Sequence, residues 1–423
     1  MKSSTMTMAD KQTDKCIPKL RFPEFQNKGE WHSVRLGDIT SSFSGGTPDA
    51  TNKEYYGGEI PFIRSGELNS PKTALYITQT ALDHSSAKIV EKGTIIYALY
   101  GATSGEVGIA QVRGAINQAI LAIIPGPSID KQFLFQYLTY LKSSIVNRYL
   151  QGGQGNLSAS IITNLSIPLP TLFEQKKIAS CLSSLDDCIA ASKEKLEQLK
   201  AHKKGLMQKL FPAHGKAIPK YRFSKFQDEE EWKAYPLEEL FDIRNGYTPS
   251  KSNPEFWEGG TIPWFRMEDI RQNGHILSDS IQHITPQAVK GTGLFPAYSI
   301  IVATTATIGE HALIIADSLA NQRFTFLTKR KSHDEEIDMM YFHQYMFIID
   351  EWCKRNTNSG GLLSVNMPAF KRLIVPLPSI KVQKEIASCL SSLDECIAAS
   401  KDKLKQLTDY KNGLMQLVFS SSK

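Results

Sequence analysis

Residues 175–200 read QKKIASCLSSLDDCIAASKEKLEQLK, and residues 383–408 repeat them as QKEIASCLSSLDECIAASKDKLKQLT, with 21 of 26 positions identical. Apolar residues recur in both copies at alternating steps of four and three, the a/d seam of a coiled coil. A narrow seam on a long helix needs a partner helix, so each segment predicts a paired rod. The seam residues are Ile178, Leu182, Leu185, Ile189, Leu196, Leu199, Ile386, Leu390, Leu393, Ile397, Leu404 and Leu407, with Ser192, Lys203, Ser400 and Lys411 completing the series.

The partner of each rod can lie in the same chain or in another. Two equal halves joined by a short link favour internal two-fold pseudo-symmetry, with the two rods side by side and antiparallel. Effective concentration favours this intramolecular pairing. Pairing between chains, giving a homodimer or a larger bundle, is the alternative.

The repeat extends over most of the chain. Residues 57–64 (GGEIPFIR) correspond to 259–266 (GGTIPWFR), and the pairs at 117–118 and 321–322 both read Asn-Gln. Between such anchors the two copies differ, whereas the rods barely change. This unequal divergence favours two domains that share a frame and present different surfaces, although neutral drift after duplication also fits.

Each repeat joins a mixed domain to a rod. Apolar runs at 93–100 and 298–303 predict strands, and helices are expected over 130–150 and 338–355. A Pro-Leu-Pro segment precedes each rod as an extended spacer, and Thr171 with Glu174 predicts a capping box. We expect an α+β chain with two mixed α/β domains and an antiparallel coiled coil. Its parts are a mobile tail (1–17), a first domain (18–170), a first helical region (171–216), a second domain (217–378) and a second helical region (379–423).

Composition sets wider limits. The 423 residues carry a net charge of +6, which permits a nucleic-acid partner without requiring one. The chain has no run of 18 apolar residues, and its polar start does not read as a secretory signal. The six cysteines form no CxxC pair, which favours a reducing cytoplasm. Four of them lie beside the rod seams, where we expect buried packing: Cys181, Cys188, Cys389 and Cys396.

Motifs of catalysis are missing from the sequence. We find no GxxxxGK[ST] loop, no HExxH, no GxSxG and no Asn-Pro-Pro-Tyr-like methyltransferase tetrapeptide. Residues 43–47 (FSGGT) are interpreted as a turn. We therefore expect no catalytic residues and no metal site in this chain.

Polar and basic residues in the loops of both mixed domains are candidates for DNA contact. Arg and Lys can bind guanine, Gln and Asn can bind adenine, and Ser or Thr hydroxyls can bind phosphates. The candidates in the first domain are Thr47, Lys53, Arg64, Ser65, Thr103, Ser104, Gln118, Gln154 and Asn156. Those in the second are Thr248, Lys251, Arg266, Thr307, Gln322, Arg323, Lys354 and Arg355. A residue that reads sequence should differ between the copies, whereas one that grips phosphate or braces the fold can recur.

The segment P-L-P-x-x-x-x-Q-K-x-I-A opens both rods, at 168–179 and 376–387. With the repeated I-P-[FW]-[IF]-R segment and the Asn-Gln pair, it resembles the specificity subunit of type I restriction–modification systems. The resemblance implies that each mixed domain is a target recognition domain that reads one half of a bipartite, asymmetric site in double-stranded DNA.

The same resemblance implies a division of labour among subunits. This chain would be a non-catalytic scaffold without a cofactor of its own. Two methyltransferase subunits would carry S-adenosylmethionine, and motor-nuclease subunits would use ATP and Mg. Two other hypotheses remain: a targeting subunit of a different methylase or nuclease assembly, and a coiled-coil adaptor that does not bind DNA.

Overall fold

The computed structural model describes residues 15–149, 156–213, 216–291, 293–358 and 363–420. The chain divides into two compact units. One comprises residues up to 194 together with 402–423, and the other comprises 195–401. Each unit therefore contains one mixed domain, part of the helix that follows it, and part of the helix from the other repeat. Among the described residues, no helix is long and apolar enough to cross a membrane.

The first repeat contains eleven strands and five α-helices in its described part. The strands are β1 (Lys15–Cys16), β2 (Trp31–Arg35), β3 (Thr40–Ser44), β4 (Tyr56–Ile63), β5 (Leu75–Ile77), β6 (Lys88–Val90), β7 (Ile95–Ala98), β8 (Val107–Ile109), β9 (Gly114–Ile116), β10 (Ile120–Pro125) and β11 (Ser166–Leu169). The helices are α1 (Leu36–Ile39), α2 (Gln79–Asp83), α3 (Lys131–Tyr149), α4 (Ala159–Thr163) and α5 (Leu172–Leu210).

Three sheets organise the first unit, in the orders β3-β10-β7-β8, β5-β4-β9-β6 and β1-β2-β11. β7 is buried along its whole length, as its β-branched and aromatic sequence predicts. The Pro-Leu-Pro spacer is more than a connector, because β11 pairs antiparallel with β2. Residues 1–14 of the expected tail lie outside the described residues, but Lys15 and Cys16 belong to the fold because β1 pairs with β2.

The second repeat contains ten strands and five α-helices in its described part. Its strands are β12 (Lys233–Pro236), β13 (Phe241–Asn245), β14 (Ile262–Phe265), β15 (Ile276–Leu277), β16 (His283–Ile284), β17 (Ser299–Ala303), β18 (His311–Ile314), β19 (Leu319–Ala320), β20 (Phe324–Lys329) and β21 (Ile374–Leu377). Its helices are α6 (Leu237–Leu240), α7 (Met267–Asn273), α8 (Met339–Arg355), α9 (Met367–Lys371) and α10 (Ile380–Phe419). The sheets are β13-β20-β17-β18-β15, β16-β14-β19 and β12-β21.

Two predicted helix starts are confirmed, and one predicted cap is wrong. Asp130 Oδ1 accepts hydrogen bonds from the first turn of α3, and Asp338 Oδ1 does the same for α8. Thr171 Oγ1 accepts from Glu174 N at 3.4 Å, but the Glu174 side chain does not return to close a capping box. Its carboxylate instead accepts two hydrogen bonds from the Arg21 guanidinium, at 2.7 and 2.8 Å, because this pair is buried against the first domain.

The two rods are α5, with 39 residues, and α10, with 40. Every seam position from 178 to 210 and from 386 to 418 is buried or half-buried, which confirms the 3.5-residue repeat. In the first unit Lys411 of α10 pairs with Asp186 of α5, and in the second Lys203 of α5 pairs with Asp394 of α10. Within each unit the helices are thus antiparallel and come from one chain. The cysteine expectation was wrong, because Cys181 and Cys389 are half-buried and Cys188 and Cys396 are exposed.

The end of each rod enters the core of the domain from the other repeat. Phe419, at the end of α10, packs against Phe133 and Tyr137 of α3 with ring centroids 5.8 and 5.2 Å apart. In the second unit Phe211, just after α5, packs in the same way against α8. Each mixed domain is therefore completed by an aromatic side chain from the opposite repeat's helical region.

Candidate nucleic-acid interface

In the first unit, several strands of the two four-stranded sheets have ends that lie side by side, and we call this side of the sheets their common edge. β4 and β9 are parallel, with Ile63 opposite Ile116, so both end at the same edge. β3 and β7 are antiparallel to β10, and Ala98 at the end of β7 lies opposite Ile120 at the start of β10. The loops that leave this edge are 44–48, 63–67, 99–105 and 116–120, which we call loop cluster 1.

Main-chain hydrogen bonds connect these loops to one another. Asn117 N donates to Ile63 O at 3.3 Å, and Gly46 N donates to Ile116 O at 3.1 Å. Leu157 N, in the loop before α4, reaches the same edge. Loop cluster 1 is therefore one bonded surface.

A glycine allows the closest of these approaches. A Cβ atom at Gly45 would lie 1.9 Å from Ile116 O, and one at Gly246 in the second repeat would lie 2.3 Å from Ala320 O. No side chain fits between backbones that close, so both repeats need glycine there. The interpretation of residues 43–47 as a turn is wrong, because Phe43 and Ser44 end strand β3 and residues 45–47 continue as an irregular loop.

Most candidates of the first domain meet in loop cluster 1. The side chains of Thr47 and Gln118 hydrogen-bond to each other. Thr103 Oγ1 donates to Ser65 O at 3.1 Å, and Ser104 Oγ donates to a main-chain carbonyl of its own loop at 3.0 Å. These bonds hold hydroxyl and amide groups in place at the sheet edge, where they are half-buried or exposed.

The Arg64 side chain forms an ion pair within its own loop and also remains accessible to solvent. Its guanidinium lies 3.3 Å from Glu67, and its side chain remains 45% exposed. Burial tends to raise the pKa of Glu67, but hydrogen bonds from Arg64 and from Ala74 N outweigh it and lower this pKa below its ordinary value. The Glu67 carboxylate is therefore charged and holds Arg64 at the edge of loop cluster 1.

The remaining candidates of the first domain differ in position. Asn156 is exposed and adjoins the cluster through Leu157. Gln154 lies outside the described residues. Lys53 is exposed in a short 3-10 turn before β4, at the opposite end of that strand from Arg64, so the structure does not bring it into the cluster.

The second unit builds an equivalent surface, loop cluster 2, from residues 245–249, 265–267, 304–310 and 320–324. Asn321 N donates to Phe265 O at 3.1 Å, as Asn117 does to Ile63 in the first unit. Thr248 and Gln322 repeat the side-chain hydrogen bond of Thr47 with Gln118. The threonine–glutamine pair is thus a constant feature of both clusters.

Basic residues are more prominent in loop cluster 2. Arg323 is exposed, and its backbone N donates to Asn321 Oδ1 at 3.0 Å. Lys354, at the end of α8, bonds to Asp350 at 3.1 Å, and Asp350 packs against the positive-φ residue Gly309. Helix α8 therefore presents Lys354 beside the 304–310 loop.

Arg355, Thr307, Arg266 and Lys251 complete the second set. Arg355 is exposed next to Lys354, and Thr307 is half-buried in the 304–310 loop. Arg266 precedes α7, and its Nε is buried without a hydrogen-bond partner among the described residues. Lys251 is exposed in the turn that follows residue 249, outside the cluster as defined by main-chain bonds.

Two lysines beside the clusters were missed from the sequence. Lys88 of β6 lies 5.5 Å from the ring centroid of Phe43, and Lys290 lies 4.8 Å from that of Tyr247. Both aromatic residues lie close to Gly45 or Gly246. The aromatic residue beside each glycine could be seen in the sequence, but its distant basic partner could not.

The clusters offer hydroxyl, amide and guanidinium groups and lysine ammonium groups. These are the donors and acceptors that bind phosphate oxygens and base edges. No group of three or more His, Cys, Asp or Glu in the described part of the chain is arranged to hold a metal ion. The surface is suited to recognition by hydrogen bonds and charge.

Comparison with known proteins gives the same result. The model of the type I restriction modification DNA specificity domain matches residues 28–201 and 229–409. The specificity subunit of the type I restriction enzyme EcoprrI from Escherichia coli is 47% identical over 177 residues, covering 40% of this chain and 44% of that protein. The MjaVIII specificity subunit from Methanocaldococcus jannaschii is 26% identical over 419 residues, covering 95% and 93%.

The fold also has solved counterparts. A type I restriction-modification S subunit from M. genitalium aligns with a TM-score of 0.60 at 18% identity, covering 96% of this chain and all of that one. Its identity is low, so this likeness speaks for the fold. The two matches of the family model span well over half of the sequence, one in each repeat. The chain therefore belongs to the type I restriction modification DNA specificity domain family.

Proposed function

We propose that this chain is the DNA-reading subunit of a type I restriction–modification complex, and that each loop cluster reads one half of a bipartite, asymmetric site. The observation that carries the proposal is the pair of loop clusters themselves. The same strand ends and the same threonine–glutamine bond build both, while the neighbouring side chains differ. An asymmetric two-part site requires two recognition surfaces of the same construction that carry different side chains, and the two loop clusters meet this requirement.

Recurring residues are assigned to the DNA backbone. Phosphate contacts position a protein on DNA and carry no sequence information directly, so they can be identical in both domains. Four candidate positions hold the same residue in each repeat, and these are Thr47 with Thr248, Gln118 with Gln322, Thr103 with Thr307, and Arg64 with Arg266.

Differing residues are assigned to the bases. Arg323 of the second cluster corresponds to Ala119 in the first, and Lys354 corresponds to Val146. In the first cluster Ser104 takes the place of Ile308. Arginine and lysine favour guanine, whereas hydroxyl groups are less selective. The second cluster is therefore expected to read the half-site richer in guanine contacts.

The remaining activities belong to partner subunits in this proposal. Two methyltransferase subunits, with S-adenosylmethionine, bind the repeated helical regions, and motor-nuclease subunits with ATP and Mg join them for cleavage. The near-identity of residues 175–200 and 383–408 supports two equivalent partners, since each must find the same surface. The chain itself contributes recognition, not catalysis, and acts on DNA in the cytoplasm.

A domain exchange tests the proposal. Residues 18–170 are replaced with the matching segment of a relative, and the chain is co-expressed with its methyltransferase partner. Sequencing of methylated bases should show one half-site changed and the other retained. Retention of the parental site in both halves would count decisively against modular reading. Copurification with a different enzyme would favour another methylase or nuclease assembly, and absence of any sequence preference would favour a non-DNA adaptor.

A further inference from the structure

Two lysines occupy seam positions where a coiled coil normally places apolar residues. Lys203 and Lys411 are 7% and 8% exposed. Lys411 Nζ lies 2.5 Å from Asp186 Oδ1, and Lys203 Nζ lies 2.6 and 2.7 Å from the two oxygens of Asp394. Each ion pair joins α5 of one repeat to α10 of the other.

Each aspartate also binds the recognition domain of its own unit. Gln136 Nε2, on α3, donates to Asp186 Oδ2 at 2.6 Å, and Gln344 Nε2, on α8, donates to Asp394 Oδ2 at 2.8 Å. Both glutamines are 1% exposed. The result is a Gln–Asp–Lys triad in each unit, in which a recognition-domain helix and both rods meet at one carboxylate.

The aspartate and lysine of each triad lie on the nearly identical rods, but the glutamine recurs on helices α3 and α8, most of whose other residues differ. Glutamine, aspartate and lysine all keep the offset of 208 residues between the copies. Beside the second triad, Lys203 Nζ lies 4.8 Å from the centroid of Phe347, where the first repeat has Thr139. A glutamine that persists while its helix changes is tied to a requirement common to both units.

In each ion pair the lysine is buried, whereas the aspartate side chain is 40% (Asp186) or 42% (Asp394) exposed. An ion pair that reaches solvent contributes little to stability, but a buried lysine left without its partner is strongly unfavourable. The pairs therefore discriminate between arrangements. A slip of one heptad, about 10 Å along the rod, would leave each lysine buried beside the wrong residue.

We infer that the two Gln–Asp–Lys triads are positioning elements that fix each recognition domain on the helix pair and so fix the spacing between the two half-sites. The inference rests on the proposed function. The triads do not touch DNA, and their effect is on where each loop cluster is held. Half-site sequences should therefore be independent of the triads, and the spacer length should depend on them.

The test uses the full chain, co-expressed with its methyltransferase partner, and a plasmid library in which the two half-sites are separated by spacers of different lengths. Gln136→Met and Gln344→Met are introduced together, which removes both amide donors and keeps both ion pairs. Lys193→Met, at an exposed position on α5, is the matched control. Methylation at spacers one base pair too long or too short should rise about tenfold or more in the triad variant, because the loss of even one of its two hydrogen bonds to a carboxylate corresponds to about a factor of ten.

Each outcome is decisive. A folded triad variant that keeps the parental spacer preference would overturn the inference. If the double variant does not fold, Gln136→Met and Gln344→Met are made singly. Each single variant should broaden the spacer preference, and a folded single variant that keeps the parental preference would overturn the inference. If the parent chain and its partner methylate the library without any sequence preference, that result would instead refute the proposed function.

Discussion

Mild acid should loosen the second unit and spare the first, because a group of histidines is buried in the second. His311, the first residue of β18, has its ring centroid 5.5 Å from that of His275 and 5.6 Å from that of His343. His311 and His343 are almost fully buried. The matching positions of the first repeat hold Val107 and Phe135, which do not titrate.

The magnitude follows from the lowered pKa values. Burial first, and then the neighbouring His275, lower the pKa of His311 from 6.5 to about 3, with Lys203 and Lys354 acting in the same direction. Burial and the charge of His311 also place the pKa of His343 well below 6.5. Both histidines bind protons below about pH 6.5 in the unfolded chain, whereas in the folded chain His311 does so only near pH 3 and His343 only well below pH 6.5. Stability is therefore complete above pH 6.5 and is lost as the pH falls through this window.

Relative to neutral pH, each histidine that stays neutral in the fold lowers the free energy of unfolding at pH 5.5 by about 1.4 kcal/mol. The two together lower it by about 3 kcal/mol. Hydrogen–deuterium exchange of the full chain measures this region by region. After correction for intrinsic exchange, protection of β18 and α8 should fall about a hundredfold between pH 7.5 and 5.5. Protection of β8 and α3 should stay constant.

The first repeat also supplies the control substitutions. His311→Val with His343→Phe gives the second unit the residues of the first at both positions, so its exchange should no longer depend on pH. Equal pH dependence in β8 and β18 of the parent chain, or an unaltered dependence in the double variant, would refute the reasoning.

Three other substitutions test separate features. Gly45→Ala places a Cβ 1.9 Å from Ile116 O and should weaken DNA binding by displacing the loop, whereas Gly205→Ala, on α5 with open space around it, should not, as measured by fluorescence anisotropy. Glu174→Ala leaves a buried arginine without its partner and should lower the free energy of urea unfolding by about 3–5 kcal/mol; a loss below about 1 kcal/mol would contradict that reading. Arg323→Ala should relax one half-site by about 1–3 kcal/mol in competition binding and leave the other unchanged; equal losses at both half-sites would assign Arg323 to phosphate.

The helical part of the fold was predictable because it depends on local order. The four-and-three spacing of apolar residues specifies the seam, and the aspartates at 130 and 338 mark helix starts, each within a few residues of the chain. The sequence did not reveal that Glu174 bonds to Arg21, since 153 positions separate the two. A cap and a distant ion pair compete for the same carboxylate, and only the tertiary structure decides between them.

The candidate interface was predictable in composition and not in geometry. Loop residues such as Thr47 and Gln118 could be named from their chemistry, but their hydrogen bond depends on which strand ends meet at one edge. Lys53 has the right chemistry and lies at the other end of its strand. Lys203 and Lys411 were visible as interruptions of the seam, yet their role required the aspartate on the opposite rod.

The triads also bear on how the two halves of this chain evolve. Asp186 belongs to the first repeat, and its lysine, 225 positions later, belongs to the second. A substitution at one position changes selection on the other, so neither copy can drift by itself at these sites. Alignments of the family should show positions 136, 186 and 411 varying together, as should 344, 394 and 203. The two repeats therefore evolve as a pair, because each repeat carries a residue that pairs with one in the other.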